Sequence, residues 1–176
     1  MANTVESVAS IYADILNQQI KIKGMDRSFL DTIGAFKYGE SHFTKTGYAR
    51  WFNKGALGYK SNRSHMMKFD KSPKADAILK SAGGADLDKT SHLILEHVVP
   101  CAYIIKYLNG LTKPITASII LTTHKQMYRR CIITKKEDEH LNSKGYNRTM
   151  PPRWNIGDNP YKRYTAVGFT WAEAFN

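Results

Sequence analysis

Two runs of helical spacing open the chain. Val5, Val8, Tyr12, Ile15 and the Gln19/Ile20 pair recur three and four positions apart, which predicts an amphipathic helix over 4–22. Asn3, followed three residues on by Glu6, predicts its cap, and Lys23-Gly24 its end. Asp26 then suits the cap of a second helix running to about Phe36, with Phe29, Leu30, Ile33 and Phe36 along one side. Gly39, Gly47, Gly55 and Gly58 break residues 39–70 into short turns, so loops or a small hairpin are expected there. Ser72-Pro73 is a helix entrance and Gly83-Gly84 its exit, and 83–90 reads as a linker or exposed loop.

The second half alternates apolar runs with helical ones. His92–Pro100 reads as a short apolar strand carrying two ionisable residues, Glu96 and His97. Cys101–Asn109 reads as a helix with Gly110 just past its end. Residues 114–126 fit two descriptions: Pro114 can start a helix, while Ile119-Ile120-Leu121-Thr122-Thr123 favours a strand. Tyr128–Thr134 reads as a strand. Thr134 with Glu137 forms a capping box, which predicts a helix from Lys135 to about Ser143. The expected fold class is therefore α+β, mostly helical, with the strands concentrated in the C-terminal half.

Length and composition narrow this further. The chain has 176 residues, 42% of them hydrophobic, which suits one compact domain or one with a small appendage. No apolar run approaches the roughly 20 residues needed to cross a bilayer, and the first residues do not resemble a secretory leader. An intracellular setting is expected. Cys101 and Cys131 belong to no CxxC pair and are expected as buried thiols rather than a disulfide.

Charge changes the reading most. The formal charge is +11, an excess that attracts polyanions. Between Lys37 and Lys74 nine basic residues face only Glu40 and Asp70, interleaved with seven aromatic rings. Cations there would contact phosphates and exposed rings would stack on bases, with Lys45, Arg50, Trp51, Lys54, Lys60 and Arg63 as the candidates. The alternative is that the rings are core and the lysines a solvated face. Two regions follow: 1–90, helical, basic and aromatic, and 91–176, carrying the strands and a basic tail.

Strand with Glu96-His97, connection, strand 128–134, helix 135–143: this order resembles the HNH or His-Me finger nucleases, whose site is a ββα metal unit. The element Leu95-Glu96-His97-Val98-Val99-Pro100 carries the likeness, which covers about residues 91–153. It implies a metal-dependent DNA endonuclease of the phage-encoded or restriction-like kind, working in the cytoplasm of a bacterial or phage-infected cell. His97 would be the general base and Glu96 a metal ligand, with His140 as the helix ligand and Glu137 in reserve. Two features depart from the pattern. The connection of some 27 residues is long, and the residue that would hold the base is unassigned, with Asn109, His124 and Gln126 as the options.

The implied chemistry suits these residue types. A neutral imidazole, with an unperturbed pKa near 6.5, can take a proton from water at cellular pH. A divalent cation held by carboxylate and imidazole stabilises charge on a phosphate and its leaving oxygen. Mixed oxygen and nitrogen donors suit Mg²⁺ or Mn²⁺, and Zn²⁺ or Ni²⁺ would also bind. One condition is geometric: neighbours on an ideal strand point to opposite faces, so Glu96 and His97 reach one cation only where the strand bends. Pro100 fits such a strand end.

Each residue also has a structural explanation. Glu96 suits an exposed strand edge, His97 a hydrogen-bonded core histidine, His140 a polar helix face and Glu137 its capping box. His42, His65, His92 and His124 show no ligand spacing. After the helix, Lys144, Arg148 and Arg153 are expected to clamp phosphates, or to sit on a basic loop anchored by Trp154, Tyr161, Tyr164 and Trp171. DNA is the expected partner ahead of RNA, no membrane is involved, and a symmetric dimer is compatible with the chain. The alternatives are a non-catalytic nucleic-acid-binding protein and a ribonuclease toxin that needs no metal.

Overall fold

A computed structural model describes residues 4–21, 24–38, 69–81 and 92–175. Six of the expected DNA-binding residues (Lys45, Arg50, Trp51, Lys54, Lys60 and Arg63), the glycine-punctuated stretch 39–68 and the linker 83–90 lie outside the described residues. The architecture is α+β: helices accompanied by one small three-stranded sheet. The described residues form two compact units, one of 4–38 and 99–128, the other of 69–81, 92–98 and 129–175.

The first unit is helical. It holds α1 (Val5–Asn17), α2 (Met25–Tyr38), α4 (Cys101–Asn109) and α5 (Ala117–Met127). Helix α1 packs on α2 and α5, and α2 packs on α4 and α5. Its core face is Ala9, Tyr12, Ala13 and Leu16, with the Tyr12 ring stacked on Phe29 at 5.0 Å. The cap of α1 is Thr4, one residue after the predicted Asn3. Thr4 Oγ1 accepts from the Ser7 amide and Ser7 Oγ accepts from the Thr4 amide, a closed box that leaves Glu6 out. The helix also stops at Asn17, short of 22, because Gln19 takes a left-handed φ of 56° that a continuing helix excludes. The Asn17 side chain then both donates to and accepts from the Ile115 backbone, 2.8 Å each way.

Residues 117–127 are a helix, which resolves the open reading of 114–126. Thr116 caps it by accepting from Ile119. Its buried positions are Ile120, Thr123, His124 and Met127, a 3.6-residue stripe in which two polar residues interrupt the apolar pattern. Burial costs little there because His124 Nε2 pairs with the Leu30 carbonyl at 3.1 Å and its ring stacks on Tyr128.

The second unit holds β1 (Asp70–Lys71), α3 (Pro73–Ser81), β2 (Leu93–His97), β3 (Arg130–Thr134), α6 (Lys135–Ser143), α7 (Lys162–Thr165) and a final 3-10 turn, Thr170–Phe175. The sheet order is β1-β3-β2, with β1 parallel and β2 antiparallel to β3. Central β3 is buried at all five positions, consistent with its uninterrupted Cys131-Ile132-Ile133 run. Both α3 and α6 pack against it. The predicted caps hold: Ser72 Oγ accepts from Ala75 at the start of α3, and Thr134 with Glu137 closes the box at α6. The tail folds back through Tyr161 and Tyr164, which join Val98, Cys131, Ile133 and Leu141 in one buried cluster with Trp171 packed against it. Cys101 and Cys131 are free, buried thiols, as expected. No helix among the described residues is long and apolar enough to cross a membrane.

Candidate functional site

Strand β2 stays regular to its end. Glu96 pairs in register with Cys131 and His97 with Arg130. Burial alternates along it: Leu93, Leu95 and His97 are buried, while Ile94 and Glu96 are half-buried. The bend that would turn both side chains to one cation is therefore missing. Glu96 lies on the same face as Ile94, and His97, 5% exposed, lies on the face of Leu93 and Leu95.

Beside Glu96 sits an arginine whose importance the sequence did not signal. Arg163, on α7, is fully buried. Its Nε donates to the Val98 carbonyl at 2.8 Å and its Nη1 to the Tyr146 carbonyl at 2.6 Å. Its Nη2 serves Glu96 Oε1, the His97 carbonyl and, at 3.1 Å, the Tyr164 hydroxyl. Five acceptors thus surround a group with five N–H bonds. Burial opposes its charge, but Tyr164 and then Glu96 outweigh that and hold its pKa above the ordinary value. The Tyr164 hydroxyl also lies 3.4 Å from Cys131 Sγ. Burial, only partly offset by that interaction, pushes the thiol up to about 12, so it stays protonated.

Helix α6 sorts the remaining candidates. Glu137 is buried, and its Oε2 accepts from Ser72 Oγ at 2.7 Å, the Thr134 amide at 2.8 Å and Thr134 Oγ1 at 2.9 Å. That is a cap with a tertiary tie added. His140 is exposed, its Nε2 3.3 Å from the Val167 carbonyl and its ring against Phe169. Asp138, another carboxylate of this helix, stands in the field of Glu96: burial first and Glu96 second raise its pKa. Lys144, Arg148 and Arg153 are all exposed, whereas Arg163, the last basic residue of the tail, belongs to the core.

The cation that the resemblance implies does not fit this donor set. The Glu96 oxygen carries a guanidinium, the Glu137 oxygen is a cap, His140 faces a carbonyl and His97 lies across the strand. In the helical unit, Asp31 and Cys101 bring a carboxylate oxygen and a thiol sulfur within 4.8 Å of each other. A tetrahedral site takes four such donors. Asp31 also accepts from the Tyr128 hydroxyl at 2.7 Å. Neither residue stands in a recognisable ligand spacing. Set against protein-family models, curated proteins and solved structures, the chain matches none.

Proposed function

We propose that this chain binds nucleic acid, DNA in the first place, by engaging the phosphate backbone. The observation that carries this is the distribution of charge. The described residues of the sheet-bearing unit expose nine lysines and arginines against Glu139, Asp158 and Glu173. Between residues 144 and 162 the exposed cations are Lys144, Arg148, Arg153 and Lys162, and Asp158 is the opposing acid. Such a surface releases counterions from DNA, so affinity should fall with salt by about 0.9 log unit per phosphate neutralised.

Hydrolysis is the second reading, favoured by the order of elements. An antiparallel strand pair, β2 with β3, runs directly into a helix packed on both, and Glu96-His97 ends the first strand. In that reading His97 is the base and the cation, Mg²⁺ or Mn²⁺, stabilises charge on the phosphate. The engaged donors around Glu96 favour binding without cleavage.

One pair of measurements tests both. Fluorescence anisotropy of a labelled duplex, across a salt series in EDTA, should give tight binding with a linear log–log slope. Replacing Lys144, Arg148 and Arg153 by alanine should weaken binding and flatten that slope by about 0.9 for each phosphate no longer neutralised. Absent or salt-independent binding would overturn the proposal. Supercoiled plasmid incubated with Mg²⁺ or Mn²⁺ should stay intact. Cutting that EDTA stops and His97→Ala abolishes would establish the second reading instead.

A further inference from the structure

We propose that Arg163 is a built-in counter-cation for Glu96, occupying the place where the resemblance to the ββα nucleases would put a divalent ion. The inference is independent of the DNA-binding reading, because it concerns the unit's interior and not its surface.

Three observations carry it. First, the guanidinium cannot leave. It is fully buried and tied to the carbonyls of His97, Val98 and Tyr146 as well as to Glu96, so all of those hydrogen bonds would have to break to free the carboxylate. Secondly, it already does the electrostatic work of a bound ion. Glu96, four-fifths buried, needs an opposite charge to be tolerated there, and the pair supplies one. A second cation at Glu96 would meet a fixed positive charge in a poorly screened setting.

The third observation concerns the neighbours. Glu137 Oε2 is held by Ser72 and Thr134, and Asp138 Oδ2 accepts from Asn142 Nδ2 at 3.1 Å. The same guanidinium also joins residues 96–98, at the end of β2, to residue 146 and to α7, so protein groups order this corner.

The test is a Mn²⁺ titration of the full chain, read as free Mn²⁺ by electron paramagnetic resonance and as the shift in melting temperature. A ligand that binds the folded state raises that temperature in proportion to its occupancy. Glu96→Gln should melt lower than the parent, by the same shift in EDTA and in Mn²⁺, because it has lost the counter-charge of Arg163. Parent and variant should also take up the same amount of Mn²⁺. Uptake equal in both lies away from Glu96 and supports the assignment. One Mn²⁺ bound and stabilising in the parent, and lost in Glu96→Gln, would overturn it. Failure to bind duplex DNA in EDTA would leave this result untouched and remove only the surface proposal.

Discussion

The two units use buried polar groups in different ways. In the helical unit these groups are mostly neutral and tied in separate pairs: Asn17 to Ile115, His124 to Leu30, Tyr128 to Asp31. Each closes one helix end or one gap, while apolar faces do the packing. In the sheet-bearing unit one charged residue, Arg163, gathers a strand end, a loop carbonyl, a tyrosine and a carboxylate around itself. A small sheet with a five-residue central strand offers little apolar area of its own. The tail supplies the missing core through Tyr161 and Tyr164, and Arg163 comes with it. Polar ties are thus spread over separate pairs in one unit, and in the other several of them meet at a single side chain.

That contrast is most vulnerable at Arg163. Arg163→Met should cost about 3–5 kcal/mol, because it leaves Glu96 and three carbonyls without their donor. Thermal unfolding followed by circular dichroism measures it, and a cost near 1 kcal/mol would mean that the polar centre is not what holds the unit. The helical unit should respond next, through volume. A Cβ at Gly34 would fall 2.3 Å from Tyr128 Cε1, on a ring held by its bond to Asp31. Gly34→Ala should therefore lose about 1–3 kcal/mol despite its better helix propensity. Tyr128→Leu in the same chain should recover part of that loss, and additive effects of the two changes would show that the ring is not the obstacle.

The smallest effect probes the electrostatic side. Burial and Glu96 raise the pKa of Asp138, so the folded state prefers its protonated form relative to the unfolded chain. Its contribution is then most favourable below the unfolded carboxylate pKa, about 3.9, and is lost as pH rises through the higher folded value. Asp138→Asn should raise the melting temperature slightly at pH 7, by the equivalent of about 0.5 kcal/mol or less, with the gain vanishing near pH 3. A gain that persists in acid would point to a cause other than charge.

Legibility in the sequence followed the range of the interactions. The helices Cys101–Asn109 and Lys135–Ser143 are legible in the sequence, because Gly110 and the Thr134–Glu137 box act within one turn of the ends they mark. The cap of α1 slipped by one position because Asn3 and Thr4 are both good cap residues, and only the Ser7 partner separates them. Helix α5 stayed ambiguous since Thr123 and His124 sit on its buried stripe, the histidine's partner supplied from elsewhere in the helical unit. Glu96 and His97 stood out as ionisable residues in an apolar strand. What each faces was not readable.

Caps, apolar runs and charge are local or additive properties. The helical ends, the central apolar strand, the buried thiols and a strongly cationic chain were therefore settled by the order of residues and needed no fold to reveal them. That Arg163 leaves the basic tail for the core and meets Glu96, 67 residues away, is a product of the folded chain alone. No local rule distinguishes that arginine from the exposed Lys162 beside it, since the difference is made only by what the tertiary structure packs around each.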